Sequence, residues 1–171
     1  MERYGHWIEG RVVAVGVRAR TLVSPRDGVP FGTLTLADPS AVDAAVLAAA
    51  GAFPAWAATP VKERVQPLFR FKRLAEARMA DLAASVSRES GKTLAEARAG
   101  VEKGLECVEF ASSLPQLLTG EILEVSRGID CHTRRFPLGP VVGITPFNFP
   151  AMVPLWMFPL AVACGNTFVL K

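Results

Sequence analysis

A proline-framed turn near the end of the chain carries the side chain best suited to catalysis. Residues 146–150 read PFNFP, and their asparagine, Asn148, closely follows an apolar, β-branched run at residues 141–144. Proline fixes the backbone angle φ, so we expect this turn to be rigid. An amide held rigidly can donate to a developing oxyanion, which stabilises a transition state by roughly 3 to 4 kcal/mol. The alternative is an asparagine that only caps the following helix.

The elements around this turn predict one unit of a parallel sheet. Residues 141–144 have the composition of a strand buried on both faces, and residues 151–164 that of a buried helix, which Gly165 and Asn166 end. Residues 167–170 are a second β-favouring run, closed by Lys171. This strand, helix, strand order is a βαβ unit, whose first loop lies where open α/β sheets bind ligands. We therefore expect Asn148 and Lys171 at one edge.

These residues resemble a known family of enzymes. PFNFP, Met152, PLWMFP and GNTFVLK are similar to motifs of the aldehyde dehydrogenase superfamily, and within it to the CoA-acylating methylmalonate-semialdehyde dehydrogenases. The subfamily assignment depends on Phe147, where the superfamily usually has tryptophan, and on the pair Trp156 and Met157 between two prolines. The resemblance covers essentially the whole chain. It implies an α/β protein with a partial aldehyde dehydrogenase fold: N-terminal strands, three helices, a hairpin arm and the first βαβ unit of a Rossmann-like nucleotide domain.

The resemblance also assigns roles. It implies that Asn148 is the oxyanion donor and that coenzyme A accepts the acyl group from a small aldehyde substrate. It places NAD against Ile144, Thr145, Pro146, Phe147 and Lys171, with Lys171 donating to the adenosine ribose. For Lys171, a core or terminal lysine without a ligand is the alternative.

One position departs from the acylating pattern. Where that subfamily is expected to have an arginine for the substrate carboxylate, this chain has Lys103, which supplies a point charge and not a bidentate fork. A solvated lysine paired with Glu102 or Glu106 explains the residue equally well.

The cysteines do not match the nucleophile of the family, which the resemblance places downstream of the turn. Cys107, Cys131 and Cys164 are three in number, lack a CxxC pair and share the chain with two histidines, so a disulfide scaffold or a metal site is not indicated. The resemblance places the general-base glutamate, like the nucleophile, beyond Lys171.

Composition excludes several classes of function. Half of the residues are hydrophobic, which argues against disorder, and the net charge of +3 comes from interspersed charges, which do not indicate nucleic-acid binding. The N-terminus lacks a secretory signal, so we expect a cytoplasmic protein. Residues 140–170 carry no charged side chain, but their prolines argue against a membrane span. A membrane or partner-binding protein stays open as a third hypothesis, after a non-acylating aldehyde dehydrogenase.

The preceding sequence predicts strands and then helices. Strands are expected at residues 11–17, 21–23 and 31–36, as two or three antiparallel strands. Asp38 and Pro39 predict a helix start, with an end near Trp56. A second helix is expected from residues 59–60 to 91, kinked at Pro67, and a third from residue 93 to about 118.

Three regions follow from these assignments. Residues 1–119 are interpreted as the N-terminal part of an NAD-binding domain, and residues 137–171 as its first βαβ unit. Residues 120–136 alternate apolar and polar side chains and predict a hairpin, which the resemblance makes an arm for homo-oligomerisation. Because a parallel strand normally has pairing partners on both sides, a chain that stops at residues 167–171 is expected to be an amino-terminal fragment.

Overall fold

The computed structural model describes residues 2–13, 16 and 18–171 as an α/β structure. Among these residues the strands are β1 (Glu2–Tyr4), β2 (His6–Ile8), β3 (Arg11–Val13), β4 (Ala19–Val23), β5 (Pro30–Thr35), β6 (Ile122–Ser126), β7 (Ile129–His132), β8 (Pro140–Gly143) and β9 (Thr167–Leu170). The helices are α1 (Pro39–Ala58), α2 (Val61–Arg64), α3 (Gln66–Ala77), α4 (Met79–Ser90), α5 (Leu94–Ser112), α6 (Leu114–Leu117) and α7 (Met152–Ala163).

The N-terminal strands form two small sheets. In the first, β5 pairs antiparallel with β4 and parallel with β1, and in the second, β2 pairs antiparallel with β3. The expected antiparallel strands are present in the pairs β4–β5 and β2–β3, and β1 adds a parallel partner that was not predicted. The segment ERY that forms β1 is too short and too polar for its sequence to predict a strand. Of the strand expected at residues 11–17, positions 14, 15 and 17 lie outside the described residues.

The first helix begins as predicted. Asp38 accepts a hydrogen bond from the Ala41 amide at 2.9 Å, and Pro39 occupies the first turn, where a missing N–H costs nothing. The residue after the helix, Thr59, donates its hydroxyl back to the Ala55 carbonyl. Thr59 therefore ends α1 and does not cap the next helix.

The prediction of a single kinked helix from residues 59–60 to 91 is wrong. This segment is divided into α2, α3 and α4, with breaks at Val65 and Arg78. Pro67 falls in the first turn of α3, where proline is well tolerated, and so it starts a helix where a kink was expected. The last of the three ends as predicted, at Gly91, whose φ of 75° suits a residue without a Cβ atom.

The third predicted helix begins correctly and ends early. Thr93 and Glu96 form a reciprocal capping box at the start of α5. The helix stops at Ser112, and Pro115 lies in the first turn of the separate α6. The sequence interpretation had carried the helix through this proline to about residue 118.

The core lies between α3, α4, α5 and α7. Val65, Leu68, Val101, Leu105 and Val108 are buried there, together with Leu155 of α7. At the centre, α5 and α7 approach closely at Gly104, where an added Cβ would lie 3.0 Å from the Cβ of Leu155. This packing fixes α7 against the helical layer.

The predicted βαβ unit is confirmed. β8 and β9 are parallel neighbours, with Val141 opposite Phe168, and α7 connects them. The expectation that the first strand is buried on both faces is wrong, because Val142 is 65% exposed. Residues 140–170 are thus two strands and a 12-residue helix, and not one spanning helix.

One helix in the described part of the chain is long and apolar enough to cross a membrane, namely α1, with 20 residues and a mean hydropathy of 1.5. This is a statement of length and composition only, and the core helices of soluble proteins pass the same test. The helix is joined to the βαβ unit by side-chain bonds: Trp56 donates to the Val162 carbonyl at 2.9 Å, and Thr167 donates to the Ala49 carbonyl at 2.8 Å.

Candidate functional site

The carboxyl ends of the parallel strands meet at one edge, as the topology requires. The Lys171 amide donates to the Gly143 carbonyl at 2.8 Å, and the Thr145 amide donates to the Lys171 carbonyl at 2.9 Å. The Thr145 hydroxyl adds a second bond to the same carbonyl at 3.1 Å. The structure therefore brings Thr145 and Lys171 together. Thr145 lies two residues after the end of β8, and Lys171 lies one residue after the end of β9.

The side chains along this edge form an open ledge. Phe147 is 92% exposed, Ile144 is 68% exposed, and Pro146 and Asn148 are also exposed. Apolar faces and ring systems of a nucleotide can pack on such side chains, while the Lys171 ammonium can donate to a hydroxyl group. The residues predicted to bind a cofactor thus lie along one edge, where they expose apolar side chains and one ammonium group.

Asn148 does not cap the helix that follows it. The N-cap residue of α7 is Ala151, and no side chain caps that end. The hydrogen bonds among residues 2–13, 16 and 18–171 include none made by the Asn148 amide side chain. Asn148 is therefore not a helix cap in this structure, and the residue is exposed to solvent.

The turn is held from both sides. On the chain's own side, the Phe149 carbonyl accepts from the Val153 amide at 3.2 Å, which joins the turn to the start of α7. From the helical layer, the Lys92 ammonium lies 3.9 Å from the centroid of the Phe149 ring. Sequence reasoning missed Lys92, because nothing in the pattern around it indicates an aromatic partner so far along the chain.

The described contacts of Lys103 do not include the residues of the ledge. Lys103 is on α5, and its ammonium pairs with Glu106 at 2.8 Å. The hydrogen bond to Glu106 raises the pKa of Lys103. The side chain is 66% exposed, so the alternative of a solvated, paired lysine describes the observed geometry.

Asn166 is a second residue whose role the sequence interpretation understated. It was expected only to end the helix, but its buried side chain accepts from the amides of Leu138 at 2.7 Å and Gly139 at 3.1 Å. Its amide group donates to the Ala161 carbonyl at 3.1 Å. One side chain therefore fastens the segment entering β8 to the end of α7. The signal available in the sequence was an asparagine after a helix-ending glycine, which is equally typical of a simple stop.

The three cysteines lie on separate elements. Cys107 on α5 and Cys164 after α7 are half-buried, and Cys131 on β7 is exposed. All three are free thiols in the described structure. That each of them is a structural residue stays a prediction.

Comparison with known proteins decides the family. The family model described as the aldehyde dehydrogenase family matches residues 15–171. The chain belongs to the aldehyde dehydrogenase family. Among curated relatives, it is 47% identical to the malonate-semialdehyde dehydrogenase of Pseudomonas aeruginosa over 167 residues, which cover 97% of this chain and 34% of the relative.

Solved structures of this aldehyde dehydrogenase family share the fold. The methylmalonate-semialdehyde dehydrogenase of Oceanimonas doudoroffii superposes with a TM-score of 0.98 at 43% identity, covering all of this chain and 35% of that one. A Sinorhizobium meliloti protein, described as a methylmalonate-semialdehyde dehydrogenase and complexed with NAD, gives 0.96 at 42% identity, with the same coverage. The chain thus spans about a third of the length of the relatives it matches.

Proposed function

We propose that this chain supplies the oxyanion donor and the first NAD contacts of an NAD-dependent, CoA-acylating methylmalonate-semialdehyde dehydrogenase. The observation that carries the proposal is the position of Asn148. Its side chain does not cap α7, and it follows the carboxyl end of β8, beside the end of β9 that carries Lys171. The names of its relatives support the substrate class, since they are malonate- and methylmalonate-semialdehyde dehydrogenases.

The reaction begins with attack on the aldehyde. A cysteine thiolate adds to the carbonyl carbon, and the electron pair of the C=O bond moves onto oxygen. Asn148 donates its amide N–H to this oxyanion, which lowers the barrier by roughly 3 to 4 kcal/mol. We place the nucleophile on the part of the relatives that this chain does not match, because Cys107 and Cys164 are half-buried in helical packing and Cys131 lies on the hairpin.

NAD supplies the acceptor for the hydride that leaves the former aldehyde carbon. We propose that the Lys171 ammonium donates to a ribose hydroxyl of the bound cofactor. The backbone of residues 144–147 would contact the side of the cofactor that faces the ledge. Thr145 keeps these two contacts in register through its two bonds to the Lys171 carbonyl. Loss of the hydride turns the adduct into a thioester.

The later steps distinguish the acylating enzyme. The β-carboxylate leaves as carbon dioxide and its bonding electrons take up a proton, after which the thiol of coenzyme A displaces the enzyme thiolate. Methylmalonate semialdehyde, coenzyme A and NAD⁺ thus give propionyl-CoA, carbon dioxide and NADH. Lys103 is the candidate for the substrate carboxylate, and binding there requires the substrate to displace Glu106.

The alternative is an aldehyde dehydrogenase that releases a free acid to water. The two are separated by the dependence of turnover on coenzyme A. We suggest an enzyme in which residues 1–171 are joined to the remainder of the Pseudomonas aeruginosa relative, called here the joined enzyme. Propionyl-CoA as the product supports the acylating proposal, and methylmalonate formed at the same rate with and without coenzyme A supports the alternative.

Asn148→Ala in the joined enzyme tests the oxyanion role. We expect single-turnover acylation to slow by about a hundredfold or more with little change in NAD affinity, because the lost bond matters in the transition state. Lys171→Ala is the matched control: it should weaken NAD binding and spare the acylation rate at saturating NAD. Acylation by Asn148→Ala at the parent rate would contradict the role.

A further inference from the structure

A lysine from the helical layer contacts the residue next to Asn148. The Lys92 ammonium lies 3.9 Å from the centroid of the Phe149 ring, a distance at which a cation is attracted to an aromatic face. Phe149 is 37% exposed, and Lys92 is partly buried, so the pair is partly withdrawn from water. This is the one cation on an aromatic ring among the described contacts that touches residues 145–150.

Lys92 is itself fixed in place. It follows Gly91, whose φ of 75° ends α4, and precedes Thr93, the N-cap of α5. Its carbonyl accepts the Ser87 hydroxyl at 2.6 Å. The lysine therefore projects from a short junction whose two ends are anchored by helices, and its backbone has little freedom to follow a moving partner.

The space between this junction and the turn is nearly filled. Lys92, Glu96, Gly100, Phe149 and Pro150 line a residual cavity of about 10 Å³, which is close to the volume that one water molecule needs. Glu96 lies in the same wall, and its pKa is lowered by the bonds from Thr93 and, more weakly, by the charge of Lys92. The turn thus lies directly against the junction, with space for about one water molecule between them.

We propose that Lys92 is a positioning residue for Asn148, acting through the Phe149 ring. The inference rests on the proposed oxyanion role of Asn148 and adds a residue on a different layer of the fold. The ring is one residue from the amide, so a cation that fixes the ring restricts the rotation of the turn and keeps the amide on the oxyanion position. Misplacement of a catalytic group by about 1 Å can lower a rate by about a hundredfold without removing the group, and a smaller shift costs less.

The test is a double-mutant cycle in the joined enzyme. Lys92→Met keeps the length of the side chain and removes the charge, and Phe149→Leu removes the ring. We expect each to slow single-turnover acylation by about three- to tenfold, as a partly buried cation–π contact would give. The double variant should be no slower than the slower single variant, because the two side chains act as a unit. NAD affinity should stay at the parent value.

Two further variants make the result specific to position. Lys92→Arg retains a cation on the ring and should restore at least half of the parent acylation rate, whereas a lysine needed only for bulk would be served as well by methionine. Lys62→Met, at an exposed position on α2, is the matched control and should leave the rate unchanged. Thermal unfolding of every variant shows whether a slow rate reflects loss of folded enzyme.

The outcomes separate this inference from the function on which it rests. An inactive parent enzyme overturns both. An active parent whose Lys92→Met variant acylates at the parent rate overturns the positioning role alone. The same holds if the losses of the two single variants multiply in the double variant, or if Lys92→Arg is as slow as Lys92→Met.

Discussion

Arg64 is a buried cation that is held by carbonyl groups in place of a carboxylate. Only 8% of the residue is exposed, and burial lowers the pKa of its guanidinium, which nevertheless remains protonated at ordinary pH. It donates to the carbonyls of Ala163 at 3.0 Å and Thr59 at 2.7 Å, with a longer bond to Ala57 at 3.4 Å. These carbonyls belong to the ends of α1 and α7, where the helix dipole is negative. One side chain therefore joins two helix ends.

Arg64→Met should destabilise the protein without touching the ledge. The variant fills similar space but leaves carbonyl groups at two helix ends without a donor, at a cost of about 2 to 3 kcal/mol. A lower urea midpoint of the joined enzyme would show it. Arg70→Met, at an exposed position on α3, is the matched control and should change the midpoint little. Equal midpoints for the two variants would contradict the role assigned to Arg64.

For single residues, the sequence identifies side chains by the chemistry that they can perform. It does not identify side chains whose role is to hydrogen-bond backbone groups elsewhere in the fold. Asn148 and Lys171 could be selected because an amide and an ammonium at strand ends suggest specific chemistry. The roles of Arg64, Asn166 and Lys92 could not be predicted, because each depends on a partner far along the chain: a carbonyl, a backbone amide and an aromatic ring, respectively. Such pairings exist only after the elements have packed.

The stability of the N-terminus of helix α5 depends on pH. The Thr93 hydroxyl, and then the Thr93 amide, lower the pKa of Glu96 by bonding its carboxylate. A carboxyl whose pKa is lower in the folded state stabilises the fold above its unfolded pKa, about 4.3, and loses that contribution as the pH falls through the folded pKa. The stability of α5 should therefore fall on acidification below about pH 4 to 5.

Glu96→Gln tests the pH dependence of this helix start. Glutamine can still accept the Thr93 bonds but does not titrate, so the variant should lose less stability than the parent between about pH 5 and pH 3. Unfolding midpoints of the joined enzyme, measured across this range, give the comparison. Glu102→Gln on the exposed face of the same helix is the control for a general change in charge. Parallel curves for Glu96→Gln and the parent would rule out the capping carboxylate as the source.

Local signals predicted element starts better than breaks. Caps at Asp38 and Thr93 and the stop at Gly91 lie within one turn of the backbone groups that they satisfy, so their effect is visible in the sequence. The break at Arg78 contains neither glycine nor proline. The Arg78 amide donates to the carbonyls of both Leu74 and Ala75, so the backbone tightens into a turn there. That break follows from how α3 and α4 pack on α5, which the apolar spacing alone does not contain.

For the whole molecule, exposure is the property that sequence predicted least well. The strand β8 was expected to be covered on both faces, yet Val142 is exposed, and apolar side chains also line the ledge and α1. Composition tells how much apolar surface a chain carries but not which part of it meets water. The relatives are about three times as long as this chain, so we propose that their remaining part covers the exposed strand.

The hairpin of β6 and β7 is the clearest protruding part of the described structure. Its turn residue Gly128 has a φ of 74°, and all of its strand residues are exposed. Leu123 lies opposite Cys131, and alternation along β7 places Ile129 on the same face, while Glu124 and Asp130 pair on the other face and Val125 lies at a break in the register. An isolated two-stranded hairpin is marginally stable in water, so an apolar face needs a partner. We propose a second copy of the protein as that partner.

Leu123→Lys in the joined enzyme should weaken this association, because it places a charge at the centre of the apolar face, where burial without a partner is costly. We expect the subunit dissociation constant to rise by about tenfold or more, seen as a lower mass by light scattering at micromolar concentration. Glu124→Lys, one residue away on the opposite face, is the matched control for charge and should leave the mass unchanged. If both variants keep the parent mass, the hairpin does not carry the interface; if both lower it equally, charge and not the apolar face is responsible. Loss of mass with retained single-turnover acylation in Leu123→Lys would further separate assembly from the chemistry at the ledge.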